Sequence, residues 1–105
     1  MILLTFKRVF MVKHIVMFKL KERNDENISK VVSSLKTLEG NIDLVRSIEI
    51  GVNFTESERS YDIVLTTEFD NRHALNAYGP HPKHLPVVEL VRSLCSGSVV
   101  VDYET

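Results

Sequence analysis

Apolar and polar residues alternate from Val12 to Leu20, placing Val12, His14, Val16, Phe18 and Leu20 on one side and Lys13, Ile15, Met17 and Lys19 on the other. Successive strand side chains point to opposite faces, so this is a strand whose second face is also apolar in its middle. The period then changes. Ile28, Val31, Val32, Leu35 and Leu38 recur at three- and four-residue spacing, which predicts an amphipathic helix capped by Asn24 or Asp25 and running to about Leu38. Gly40 is its natural stop. Alternation returns from Ile42 to Phe54, where Gly51 points to a bulge or bend. After a polar loop from Thr55 to Ser60, a third strand follows from Tyr61 to Phe69, with Tyr61, Ile63, Leu65, Thr67 and Phe69 sharing a face.

Asp70 then predicts the cap of a short helix with Ala74 and Tyr78 on one side, ended by Gly79-Pro80. A further helix is expected from about Leu85 to Leu94, carrying Leu85, Val88 and Val91, with Pro86 tolerated in its first turn. Ser96-Gly97 closes it, and Ser98 to Glu104 forms the last strand. The order strand, helix, strand, strand, helix, strand predicts one α+β unit, a ferredoxin-like βαββαβ fold with a four-stranded antiparallel sheet. Both helices then cover the same face. Ile15, Met17, Val45, Val64 and Val100 are left on the other, and a contiguous apolar patch of that kind is an interface. At roughly 25 cal/mol per Å², covering several hundred Å² is worth several kcal/mol before entropic costs, so a homodimer stacking sheet on sheet is expected.

A chain of 105 residues is one domain with one modest core. Thirteen basic residues against fourteen acidic ones lack the clustered positive field that nucleic acid requires. No apolar run approaches the ~20 residues of a membrane span. The single Cys95 excludes an internal disulfide and fits a reducing compartment, so a cytoplasmic location is expected. Residues 1–10 (MILLTFKRVF) have too short an apolar run for a signal peptide, and Lys7 and Arg8 follow that run instead of preceding it. These residues read as a peripheral extension, with residues 11–105 as the domain.

The chemistry concentrates in Tyr78-Gly79-Pro80-His81-Pro82-Lys83-His84, a turn stiffened by its two prolines and rich in groups that move protons near neutral pH. His84 reads either as a general base or as a helix cap. Tyr78 either polarises a carbonyl or enolate or closes the core as an amphipathic residue. His14, on the face with Val16 and Phe18, is a hydrogen-bonded core residue or a member of the same cavity. His81 precedes Pro82 and reads as shaping the turn. Three His suit zinc. Pro82 breaks the spacing that would aim His81 and His84 at one point, so no metal site is expected. There is no phosphate-cradling Gly loop, no CxxC and no serine nucleophile elbow.

Three stretches together resemble the stress-responsive dimeric α/β-barrel family: Met11-Val12-Lys13-His14-Ile15-Val16-Met17-Phe18-Lys19-Leu20, the His81-Pro82-Lys83-His84 turn, and the Val-rich strand ending Asp102-Tyr103. The match spans about residues 11–105. The resemblance implies a homodimer whose two sheets face each other as a barrel with the helices outside. A plant cyclase of that family closes a linear polyketide by a cofactor-free aldol condensation. Its base, a His of the Pro-x-His turn, corresponds to His84, and its assisting Tyr six residues earlier corresponds to Tyr78. A supporting first-strand His corresponds to His14. The resemblance thus implies no cofactor and two functions to weigh: binding of a small apolar or aromatic molecule in a cavity of each subunit, or an aldol-type lyase or cyclase acting on a β-keto or polyketide-like substrate.

Overall fold

The alternating stretch near the start forms β1 (Val12–Leu20), which sits inside the sheet with a hydrogen-bonded neighbour on each side. The computed structural model describes residues 10–105; the extension expected over 1–10 lies, apart from Phe10, outside the described residues. α1 (Asp25–Lys36) follows, then β2 (Ser47–Val52), β3 (Ile63–Phe69), α2 (Arg72–Tyr78), α3 (Leu85–Leu94) and β4 (Cys95–Glu104). The strands lie in the order β2-β3-β1-β4, every neighbour antiparallel. This is the expected ferredoxin-like α+β arrangement.

Local chemistry sets the helix starts. The Asn24 side chain accepts from the Asn27 N–H at 2.8 Å, and Asp25 and Glu26 lie in the positive first turn of α1. Asn71 caps α2 in the same way, accepting from the Ala74 N–H. The cap expected at Asp70 is therefore one residue later, because Asp70 is held in a bidentate pair by Arg46, at 2.9 and 2.8 Å. Past α1, Gly40 takes φ 69°, the left-handed region that suits glycine.

The core lies between the helices and one face of the sheet. Val31 and Leu35 of α1, Val87 and Val91 of α3, and Phe18, Leu65 and Phe69 of the strands are buried there. The buried stripe of α3 is thus Val87 and Val91, not one running through Leu85, which is exposed. With Pro86 in the first turn, the helix is phased so that Val87 and Val91, four apart, face inward.

The strands depart from the alternating pattern at several points, β2 ending at Val52 and β3 beginning at Ile63 instead of Phe54 and Tyr61. β2 begins only at Ser47, because Ile42 folds back into the core from a turn, bonded to the Val45 N–H through its carbonyl. Gly51 makes no bulge: register runs unbroken through Gly51↔Val64, and a Cβ there would meet a Val64 methyl at 2.9 Å. β4 starts at Cys95 directly after α3, with Ser96 and Gly97 already in the strand.

Directly paired residues of antiparallel strands share a face, so register assigns the helix-free side. Ile15 pairs with Val101, Met17 with both Val99 and Val64, and Lys13 with Tyr103. Val100 pairs with Val16 and therefore belongs to the helix side, and Val45 packs against the core, so neither joins the outer patch as expected. Val99 and Val101 take their place, 40% and 56% exposed.

Candidate functional site

The α2–α3 turn and β1 carry the three residues of interest to one place. Tyr78 is the last residue of α2, and its position four after Ala74 turns it into the core, where it is 2% exposed. The turn then doubles back through a His81 N–H bond to the Tyr78 carbonyl and a His84 N–H bond to the His81 carbonyl. This sets the His84 ring flat against the Tyr78 ring, with centroids 4.0 Å apart and planes inclined by 29°. The ring of His14 meets Tyr78 edge-on at 6.2 Å. His81 is turned to the loop, its Nδ1 accepting from the Lys83 N–H.

His84, Tyr78 and His14 line one end of a cavity of about 370 Å³. Its walls are largely apolar, built from Phe18, Leu35, Leu65 and Val91 among others, and Arg92 with Ser96, Gly97 and Ser98 also lines it. Pockets of this size, apolar with a few convergent polar groups, suit small molecules.

The protonation states follow from the neighbours. The Nδ1 of His84 lies 2.9 Å from the Gly79 carbonyl, which only accepts, so Nδ1 carries the hydrogen and Nε2 keeps a lone pair. Burial lowers the His84 pKa, and the positive field of His14 adds to this, against the opposing pull of the Gly79 carbonyl. The ring is therefore neutral at pH 7. His84 stands at the helix start but makes no side-chain capping bond. Burial pushes the Tyr78 phenol up to about 12, so it stays protonated, a donor. Its hydroxyl is buried and, among the described residues, has no hydrogen-bond partner. Such an orphan costs about 1–3 kcal/mol unless a ligand satisfies it.

Asp102, which the sequence placed only as part of a Val-rich strand, bonds the Nδ1 of His14 through its carboxylate. The contact depends on β4 register, where His14 sits opposite Asp102. Given that register, the pairing was readable; without it, 88 residues of intervening chain hide it. Among the described residues, no group of three or more His, Cys, Asp or Glu comes together to hold a metal ion.

Known proteins share this fold. The chain is 31% identical over 97 residues to an uncharacterized protein of Streptomyces coelicolor, covering 90% of this chain and 99% of that one. A dimeric protein of unknown function with a ferredoxin-like fold from Bacteroides fragilis superimposes with a TM-score of 0.75 at 33% identity, over 90% of this chain and 96% of that one. The hydroxynitrile lyase of Passiflora edulis has the same fold, with a TM-score of 0.80 over 93% of this chain and 95% of that one, at only 14% identity. The family model of the stress responsive A/B barrel domain matches residues 12–105, and the chain belongs to that family.

Proposed function

We propose that this protein is a homodimer, joined through the helix-free sheet face, and that each subunit binds a small apolar or aromatic molecule bearing a carbonyl or hydroxyl oxygen. The observation that carries the ligand reading is the Tyr78 hydroxyl, buried without a partner among the described residues, in a residue that lines a largely apolar cavity. A ligand oxygen accepting from it relieves that cost, while the walls bury the ligand's carbon skeleton. The dimer rests on the exposed Val99, Val101 and Tyr103 and on the dimeric relative from Bacteroides fragilis. A cytoplasmic location accords with the lone free Cys95, and no helix among the described residues is long and apolar enough to cross a membrane.

A second reading is favoured by the stacked Tyr78–His84 pair: a cofactor-free lyase or cyclase of aldol type. His84 Nε2 takes a proton from the carbon next to a carbonyl, the freed electron pair forms the enolate, and Tyr78 donates to the developing oxyanion. The resulting carbanion attacks a second carbonyl, and the alkoxide so formed takes the proton back from His84; in the lyase direction His84 takes the proton of a hydroxyl, the carbon–carbon bond breaks as the carbonyl forms, and the carbanion released takes that proton. The hydroxynitrile lyase of like fold lends this reading an example of bond-breaking chemistry on the same scaffold.

Ligand screening followed by turnover assays on wild type and His84→Ala separates the two. Binding that survives the substitution, with no turnover in either protein, supports the binding protein. Turnover by wild type that drops at least about 100-fold in His84→Ala supports the enzyme. Absence of any ligand that shifts Tyr78 removes both.

A further inference from the structure

The cavity has a second polar end. Arg92, in the last turn of α3, lines it together with Ser96, Gly97 and Ser98. Arg92 is exposed, and among the described residues no carboxylate or carbonyl pairs with its guanidinium; the same holds for Arg59, while the arginines at 23, 46 and 72 are each held by a carboxylate. A cation near a helix C-terminus complements the helix dipole wherever its side chain points. That does not account for its lying on the wall of an apolar cavity.

The two ends are separated by a distance that two independent elements give alike. Along β1, His14 lies opposite Asp102 and Phe18 opposite Ser98, four residues apart and so about 13 Å. Along α3, His84 and Arg92 are eight residues apart, about 12 Å at helical rise. Both elements run from the histidine end toward the serine end, and the cavity between them is continuous.

Building on the ligand reading above, we infer that the natural ligand is an elongated monoanion: an apolar chain or ring system with an oxygen for Tyr78 and His84 at one end and a carboxylate for Arg92 at the other. A guanidinium fork matches a carboxylate in two parallel hydrogen bonds. Ser98 shares a strand face with Phe18 and offers a hydroxyl at the same mouth. Glu89, three positions before Arg92, lines the adjoining groove with it, and this neighbouring negative charge disfavours a dianion such as a phosphate ester.

The test uses three probes of matched length: 9-oxodecanoate, its methyl ester and 2-decanone, titrated by calorimetry into wild type and Arg92→Gln, with NMR of the Tyr78 and His84 rings. The expected result is that 9-oxodecanoate binds wild type about five- to tenfold more tightly than the ester or the ketone. This advantage shrinks with added salt and vanishes in Arg92→Gln, which binds the three probes alike. If the ketone binds and moves both rings but the carboxylate gains nothing, or the gain persists in Arg92→Gln, the anion site is overturned and the ligand reading stands. If no probe binds or moves the rings, the ligand reading fails and the anion site falls with it.

Discussion

The Tyr78 hydroxyl is a local defect of the folded state. Among the described residues nothing accepts its hydrogen bond, although the residue is only 2% exposed. Tyr78→Phe removes the unsatisfied group and keeps the ring against Phe69 and His84. Chemical denaturation of the ligand-free protein is expected to show a gain of about 1 kcal/mol, while affinity for a carbonyl ligand falls about tenfold. Loss of stability instead would mean that the hydroxyl has a partner. His84 titrates below its ordinary 6.5 because burial disfavours the charged ring. Its depressed folded pKa contributes stability that is complete above 6.5 and is lost as pH falls through the folded value. NMR titration should place the midpoint below 6.5, and any turnover should decline in acid with that same midpoint. A midpoint above 6.5 contradicts the neutral base.

At the scale of elements, ion pairs fasten the irregular segments that the strands leave behind. Asp62 closes the loop between β2 and β3, accepting from the Leu20 N–H at 2.7 Å and from Arg23 at 2.8 Å. Arg23 also donates to the Asn53 carbonyl, so one guanidinium ties the end of β1 to both ends of that loop. Burial alone pushes the Asp62 carboxyl up, but the Leu20 N–H and Arg23 outweigh it and hold it below the usual carboxylate range. Asp62→Ala orphans the Leu20 N–H and takes from Arg23 its most buried partner, leaving it Glu56 and the Asn53 carbonyl, and is expected to cost about 2 kcal/mol by urea denaturation. In wild type this contribution is present above the ordinary aspartate pKa and disappears as pH falls through the lowered folded value. A change under 0.5 kcal/mol would show that solvent replaces the clamp. The periodicity of α1 and β1 was legible because long apolar repeats have one solution. The ends of β2 and β4 were not, because a turn that buries Ile42 and a helix that feeds straight into Cys95 depend on packing partners far along the chain.

On the whole molecule, one sheet face is covered by helices and the other carries Met17, Val99, Val101 and Tyr103 at 38%, 40%, 56% and 42% exposure. Val101→Glu places a charge on this face without touching the core, so each subunit should keep its fold by circular dichroism. In the proposed dimer it buries two unpaired carboxylates, which is expected to weaken association by at least about 100-fold. Sedimentation equilibrium at micromolar concentration should show twice the subunit mass for wild type and largely single subunits for the variant. A wild type sedimenting as single subunits removes the dimer.

Hydrophobic spacing alone reached the element order, the fold class and the apolar second face, because these follow from local periodicities that the backbone obeys wherever it is placed. The residue types of the Tyr78–His84 turn singled out Tyr78 and His84, and the family resemblance joined His14 to them. Their meeting is another matter: the ring stacking, the orphaned hydroxyl, the Asp102 bond to His14 and the assignment of Val99 and Val101 instead of Val100 to the outer face all turn on cross-strand register and the path of one tight turn. Register shifts by single residues exchange whole faces, and no pattern within one strand reveals which residue of another lies opposite.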